Sequence, residues 1–262
     1  MMDLLKLPML LVLIALGGCA VQPEAPDFKP GTSTTGDETE RQTSTRIHTE
    51  LAAGYYELGN MGVALEEVGI ALRADPNYVP AHNIAGQIYA RLKEDRLAQQ
   101  SFERALKINP LDSAANHNYG TFLCQRQREE EGIKHILTAL RNPLYQNAAS
   151  SYVNAGLCAR RRGDMVAAEE YFMKALQLRP DQLQALYHVA DIQYQRNNFL
   201  SAKSFLERFT RVAAPNAEVL WLAVRIERRL GDNNAVASYA QQLRNNFPNS
   251  KEAGALLAGQ YD

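Results

Sequence analysis

The clearest pattern along the chain is a spacing of small and apolar residues that recurs in four segments. Each segment has a small or apolar residue, apolar residues four and seven positions later, and a proline at position twelve. The segments are Ala64, Val68, Ala71 and Pro76; Ala98, Phe102, Ala105 and Pro110; Ala168, Phe172, Ala175 and Pro180; and Val236, Ala240, Leu243 and Pro248. Spacings of four and seven put side chains on one helix face, and proline ends a helix. The pattern therefore predicts four helices with one apolar face each.

The prolines also set a repeat length. Pro76 and Pro110 are 34 residues apart. A period of this length is typical of a helix pair that buries its apolar face only by stacking on its neighbours. Counting from the prolines predicts six units, at residues 45–78, 79–112, 113–146, 149–182, 183–216 and 217–250. Residues 251–262 are too few for another pair, and we expect them to form a helix that caps the stack.

Small residues repeat in the first half of the units as well. They fall at one phase in the pairs Leu51-Ala52, Ala85-Gly86, Tyr119-Gly120 and Ala155-Gly156, and a turn glycine follows in three units at Gly59, Gly163 and Gly231. Glycine adopts the left-handed conformation of a tight turn most easily. The arrangement resembles the tetratricopeptide repeat. That resemblance implies an all-α fold, a right-handed α-solenoid of about six helix pairs.

One connection departs from the regular period. Pro143 and Pro215 are displaced by one residue from the expected phase, and about two extra residues separate the third and fourth units. We expect residues 141–147 to form a longer connection and to change the stacking locally.

The N-terminus carries a targeting signal. Lys6 precedes a short apolar run at residues 10–16, which is too short to cross a bilayer as a permanent helix. A charged start, a short apolar core and small residues describe a secretory signal peptide. The Leu-Gly-Gly-Cys sequence ending at Cys19 resembles the bacterial lipobox, which implies lipidation of Cys19. Ala20 in place of aspartate then implies outer-membrane delivery. The alternative is an ordinary signal peptide followed by an unrelated cysteine.

A linker separates this signal from the repeats. Residues 20–44 contain prolines, glycines, serines and threonines and have no apolar periodicity. The predicted organisation is therefore a lipoprotein signal peptide at 1–18, a lipid anchor and flexible linker at 19–44, and the solenoid with its capping helix at 45–262. The predicted location is the periplasmic face of the outer membrane.

Composition argues against several classes of function. Lys and Arg number 28 against 29 Asp and Glu, so no positive field attracts nucleic acid. The five histidines, at positions 48, 82, 117, 135 and 188, do not have the spacing of metal ligands, and no phosphate loop or nucleophile motif is present. We therefore expect no enzyme activity, metal, cofactor or small-molecule substrate.

Two cysteines remain after the lipobox. Cys124 and Cys158 lie 34 residues apart and fall late in the first helices of neighbouring units. Because the periplasm is oxidising, a disulfide between them is expected, and it would add about 3–4 kcal/mol on the chain-entropy model. The alternative is that both are reduced and serve as small core residues.

The tetratricopeptide resemblance also implies a partner-binding groove. In that family the exposed phases of each first helix line the concave face. Transferred to this sequence, these phases select Tyr56, Asn83, Gln87, Arg91, His117, Thr121, Arg160, Tyr187 and Tyr194, with Trp221 as a further aromatic anchor. Asn83, Gln87 and Arg91 lie four apart, and amides can hydrogen-bond an extended peptide backbone. The alternative is an ordinary solvated face.

The whole chain resembles one family. The lipobox, linker, six units and the stretches 118–124, 142–145 and 154–158 together resemble the type IV pilus pilotins, the PilF/PilW group. The resemblance implies a lipoprotein that escorts secretin subunits to the outer membrane and promotes their multimerisation. Two alternatives remain: a lipoprotein adaptor that docks a periplasmic peptidase or cell-wall hydrolase, and a subunit of the barrel-insertion machinery.

Overall fold

A computed structural model describes residues 39–261. The predicted signal peptide, Cys19 and residues 20–38 of the predicted linker lie outside the described residues. Within 39–261 the regular elements are thirteen α helices, with no β strand. They are α1(Glu40–Glu57), α2(Met61–Ala74), α3(Val79–Arg91), α4(Asp95–Ile108), α5(Ser113–Gln125), α6(Glu129–Ala139), α7(Ala148–Arg161), α8(Met165–Leu178), α9(Leu183–Gln195), α10(Phe199–Val212), α11(Ala217–Leu230), α12(Asn233–Asn246) and α13(Lys251–Leu257).

The helices are organised as six consecutive pairs. Each odd-numbered helix packs most extensively on the even-numbered helix that follows it, from α1 with α2 to α11 with α12. These pairs coincide with the six predicted units, so the predicted all-α solenoid is confirmed. The last helix, α13, packs on α11 and α12 where the capping helix was expected.

The first and second helices of the pairs form separate layers. Among first helices, α1 packs on α3, α3 on α5, α5 on α7, and α9 on α11. Within residues 39–261, second helices have no comparable packing on one another. The first helices are therefore crowded on the inner, shorter side of the stack, and their side chains line one continuous face. This is the face on which the predicted groove residues were placed.

Close packing inside each pair depends on the repeated small residues. A Cβ atom at Gly86 of α3 would lie 2.7 Å from the ring of Phe102 on α4. The same relationship recurs in the fourth pair, where a Cβ at Gly156 would lie 2.6 Å from Phe172. Both rings are almost completely buried. The sequence therefore needs glycine at these two positions because the partner helix supplies a large ring there.

The turns inside the pairs use a left-handed residue. Gly59, Gly163 and Gly231 have φ values of +78°, +84° and +81°, as the sequence predicted. The remaining three turns place other residues in the same conformation, with φ values of +63°, +61° and +63° at Lys93, Gln127 and Asn197. The left-handed turn is thus common to all six pairs, whereas glycine, the residue that favours this conformation, is present in only three.

The first helix begins earlier than the repeat period indicated. It starts at Glu40, so residues 40–44, which the sequence analysis assigned to the linker, belong to its first turns. Thr39 and Gln42 form a capping box, in which the Thr39 side chain accepts from the Gln42 backbone and the Gln42 side chain accepts from the Thr39 backbone. This reciprocal cap satisfies backbone donors at the helix start and so extends the helix.

The third and fourth pairs are joined as expected by a longer connection and, in addition, by a covalent bond. Residues 140–147 link α6 to α7, whereas 75–78 suffice between α2 and α3. Cys124 of α5 and Cys158 of α7 form a disulfide with a Cα–Cα distance of 5.5 Å. Both cysteines are buried. The disulfide therefore fastens neighbouring first helices across the irregular connection.

Candidate partner-binding face

Amide and hydroxyl side chains link neighbouring first helices along the inner face. Asn118 Nδ2 on α5 donates to Asn83 Oδ1 on α3 over 3.1 Å. Asn154 Nδ2 on α7 donates to Thr121 Oγ1 on α5 over 3.0 Å. These bonds satisfy side chains that the packing partly removes from water. Asn83 is only 8% exposed, so it is a packing residue between two helices and not a free amide for a partner.

His117 belongs to the same internal network. Its Nδ1 lies 2.6 Å from Ser151 Oγ, and its Nε2 lies 3.3 Å from Asn154 Nδ2. Burial lowers the pKa of His117 below its ordinary value. Ser151 is fully buried, and its hydroxyl lies between the two helices. The cluster therefore holds α5 against α7.

Arg160 connects α7 to α9 through two groups. Its guanidinium forms an ion pair with Asp191 and donates from Nη1 to His188 Nδ1 over 2.9 Å. A second donor, Gln195 Nε2, reaches Asp191 Oδ2 over 3.0 Å. Burial, then the Arg160 charge, lowers the pKa of His188 to about 4, against the opposing effect of Asp191. His188 is therefore neutral at pH 7 and accepts at Nδ1.

Four of the predicted residues meet around one pocket near the N-terminal end. This first pocket has a volume of about 250 Å³ and includes Tyr56, Gln87, Arg91 and Thr121 in its lining. The Arg91 guanidinium lies 5.2 Å from the centre of the Tyr56 ring. The rings of Phe102 and Phe122 also line the pocket but are almost completely buried. The pocket thus offers an amide, a cation and the Tyr56 ring at one place.

A second pocket lies between α9, α11 and α13. Its volume is about 400 Å³, and of the nine predicted groove residues it contains only Tyr187. The rest of its lining is Asp191, Glu218, Trp221, Leu222, Arg225, Lys251, Glu252 and Ala255. Sequence reasoning did not select Lys251 or Glu252, because α13 lies outside the repeat on which the groove positions were counted.

Tyr194, the last predicted groove residue, is buried. It is 8% exposed, and the Arg225 guanidinium covers its ring at 4.4 Å from the ring centre. The helical phase of Tyr194 does point to the inner face. However, the long side chain from the following first helix lies over it. Tyr194 therefore supports Arg225 and does not itself present a surface.

An apolar patch on α1 was missed by the sequence analysis. Ile47, Leu51, Tyr55 and Leu58 line a shallow pocket of about 420 Å³, and Leu58 is 80% exposed. Within residues 39–261, α1 packs on α2 and α3, and no helix precedes it. Their spacing of four, four and three along one helix was the available signal. The sequence analysis took only the Leu51-Ala52 pair from it, as part of the repeat phase.

The inner face offers binding chemistry. Within residues 39–261, no group of three or more His, Cys, Asp and Glu side chains is arranged to hold a metal ion. Nor is any helix in that range long and apolar enough to cross a membrane. The groups that the face presents are amides, ion pairs and aromatic rings, which recognise peptides by hydrogen bonds, charge and stacking.

Comparison with known proteins agrees with this architecture. Tetratricopeptide repeat models match residues 49–113 and 149–182. The type IV pilus assembly protein PilF of Pseudomonas aeruginosa is 28% identical over 242 residues, which cover 92% of this chain and 93% of PilF. The solved PilF structure superposes with a TM-score of 0.78 and covers 84% of this chain and 99% of that one.

A second solved structure is that of PilW, described as a widely conserved type IV pilus biogenesis factor. It is 31% identical, has a TM-score of 0.74, and covers 81% of this chain and 98% of its own. The fold, the repeats and these matches define a solenoid scaffold, and the chain belongs to the tetratricopeptide repeat family. Within that family it is a homologue of PilF and PilW.

Proposed function

We propose that this protein is a scaffold for type IV pilus biogenesis that acts as a pilotin for secretin subunits. The observation that supports this is the extent of the similarity to PilF, which spans 92% of this chain and 93% of PilF. Generic repeats match over shorter segments, as the two repeat models do at 49–113 and 149–182. Similarity across six pairs, the irregular connection and the cap favours a shared role.

The proposed location follows from the N-terminal motif. Cys19 is lipidated after removal of residues 1–18, and the lipid holds the solenoid at the periplasmic face of the outer membrane. More than one acyl chain is needed for stable anchoring, and lipoprotein maturation supplies several. Mass spectrometry of the N-terminal peptide tests this step. An acylated peptide that begins at Cys19 supports the anchor, and an unmodified Cys19 contradicts it.

The proposed action is to bind a secretin subunit, with no catalytic step. The secretin subunit lays an extended segment along the first pocket, where Gln87 hydrogen-bonds its backbone and Tyr56 and Arg91 contact its side chains. Gln87 suits this role because its side chain makes no hydrogen bond within residues 39–261, and Arg91 suits it because it is exposed. Holding the segment while the lipid fixes the location raises the local concentration of subunits, which favours multimerisation.

Deletion of the gene tests the whole proposal. Loss of heat-stable secretin multimers from the outer membrane, together with loss of twitching motility, is the expected result. The wild-type chain should restore both, and a Cys19→Ser chain should not. Intact multimers in the deletion strain would overturn the proposal. They would favour the alternative, an adaptor that docks a periplasmic peptidase or cell-wall hydrolase.

A further inference from the structure

In the second pocket, between α9, α11 and α13, the Glu252 carboxylate accepts no hydrogen bond from residues 39–261. The Glu252 side chain is 7% exposed. Its partner within residues 39–261 is Lys251 Nζ at 3.6 Å, which is beyond hydrogen-bond distance. The Glu252 carboxylate lines the pocket, so a donor that entered the pocket would satisfy it.

Lys251 marks where a cation is attracted. Its Nζ lies 4.0 Å from Glu218 and 3.6 Å from Glu252, and its side chain is 83% exposed. A single exposed lysine thus forms long ion pairs with two carboxylates. Asp191, the third acid of the lining, already has its own partner in Arg160. A ligand cation could therefore replace Lys251 without breaking a close ion pair.

Aromatic rings and the local field also favour a cation. Trp221 stacks on Tyr261 with ring centres 5.5 Å apart, and Tyr187 forms another part of the lining. The pKa of Tyr187 is raised to about 12, by burial first and then by Asp191 and Glu218, against the opposing charge of Arg160. Asp191 and Glu218 thus place negative charge near this hydroxyl. Aromatic faces attract ammonium and guanidinium groups, and long basic side chains lay their stems on such surfaces.

Arg225 adds a donor for a peptide backbone. Its Nε donates to the Tyr261 carbonyl over 3.0 Å, and its guanidinium lies over the Tyr194 ring. It makes no ion pair within residues 39–261, so its outer N–H groups have no carboxylate partner there. Guanidinium N–H groups are strong donors to carbonyl oxygen. The lining thus has carboxylates for a cation and a donor for a carbonyl.

We infer that this pocket binds a lysine or arginine side chain presented by an extended peptide. The ligand cation takes the place of Lys251 beside Glu218 and Glu252. Its stem packs on Trp221, and Arg225 donates to a neighbouring peptide carbonyl. The inference stands apart from the pilus proposal, because the site and its test involve no secretin.

The single tryptophan of the chain provides the measurement. The full chain is titrated with a nine-residue glycine and serine peptide that has lysine at its centre, and Trp221 fluorescence is followed. We expect a saturable change for the lysine peptide and for its arginine counterpart. Peptides with central glutamine or glutamate should bind at least about tenfold more weakly, and added salt should weaken the lysine peptide. Equal responses to all four peptides, or none, would overturn the inference.

Three variants test which charges of the pocket determine peptide binding. Glu252→Gln should weaken the lysine peptide about tenfold because it removes the buried charge. Lys251→Gln should tighten it severalfold, because the internal competitor is lost. Glu66 is an exposed residue of α2, so Glu66→Gln makes the same charge change elsewhere and should leave binding unchanged. Weaker binding by Lys251→Gln, or equal behaviour of Glu252→Gln and Glu66→Gln, would contradict the site.

Discussion

Arg160 on α7 forms an ion pair with Asp191 on α9, across the junction where successive first helices pack least on one another. At the other junctions the first helices pack more closely, and contacts such as the Asn118–Asn83 hydrogen bond and the Cys124–Cys158 disulfide add to that packing. At this junction the Arg160 side chain spans the gap and also donates to His188. The contact between α7 and α9 therefore depends more on this guanidinium than on direct packing of the two helices.

Removing this guanidinium should destabilise the fold. Arg160→Met leaves Asp191 mostly buried with only Gln195 as a side-chain donor, and we expect a loss of about 2–3 kcal/mol of unfolding free energy in urea denaturation. The matched control is Arg162→Met, whose ion pair with Asp164 is exposed on both sides. That variant should lose less than about 0.5 kcal/mol. Equal losses would show that the Arg160 pair is no stronger than a surface pair.

The neutral state of His188 makes stability depend on pH. Its pKa in the folded protein is about 4, below the ordinary value of 6.5, so the unfolded chain takes up a proton first as pH falls. Stability should therefore be unaffected above pH 6.5 and fall between pH 6.5 and pH 4. His188→Gln keeps an acceptor for Arg160 and removes this titration. We expect its melting temperature to fall less than that of the wild type between pH 7 and pH 4.5. An identical fall would contradict the assignment.

The disulfide should contribute to stability through the loop that it closes. Cys124 and Cys158 are 34 residues apart in sequence, for which the chain-entropy model gives about 3–4 kcal/mol. The double variant Cys124→Ala and Cys158→Ala should lose about this amount in urea denaturation. Treatment with a reductant should destabilise the wild type and leave the variant unchanged. A variant as stable as the wild type would contradict this prediction.

The turn residues predict a stabilising substitution. Lys93 has a φ of +63°, which costs about 1–2 kcal/mol for a residue with a side chain, and glycine removes most of that cost. After the entropy cost of glycine, Lys93→Gly should stabilise the protein by about 0.5–1 kcal/mol, measured as a higher melting temperature. Asn197→Gly should gain less. Asparagine tolerates this conformation, and its Oδ1 accepts from Arg229 over 3.3 Å. A larger gain at Asn197 would reverse the expected order.

The first pocket can be tested without disturbing the stack. Gln87→Ala with Arg91→Ala changes two residues of the pocket and leaves Asn83 and its bond to Asn118 in place. We expect fewer heat-stable secretin multimers and a native circular dichroism spectrum. The control is Arg96→Ala with Gln100→Ala, two exposed residues of the same types one turn apart on α4. Multimers reduced equally by both pairs would show that the first pocket is not the client site.

Including Asn83 in such a variant, as the sequence pattern suggests, would confuse binding with stability. Its helical phase on α3 was read correctly, since the residue does lie on the inner face. The helical phase does not reveal that Asn118 of the next first helix lies against Asn83 and hydrogen-bonds to it. The same holds for Tyr194, which also lies on the inner face but whose ring is covered by Arg225 of the next first helix. Exposure at an inner-face position depends on the neighbouring pair and not on the helix that carries it.

The sequence by itself determined the number of helix pairs, their period and the turns between them. Apolar spacing, helix-ending prolines and the glycines at 59, 163 and 231 act over a few residues, so they can be read in order along the chain. Only the tertiary structure decided which inner-face residues remain free and where pockets form. The second pocket needs Glu252 from α13 beside Trp221 from α11, and stacking alone brings those residues together.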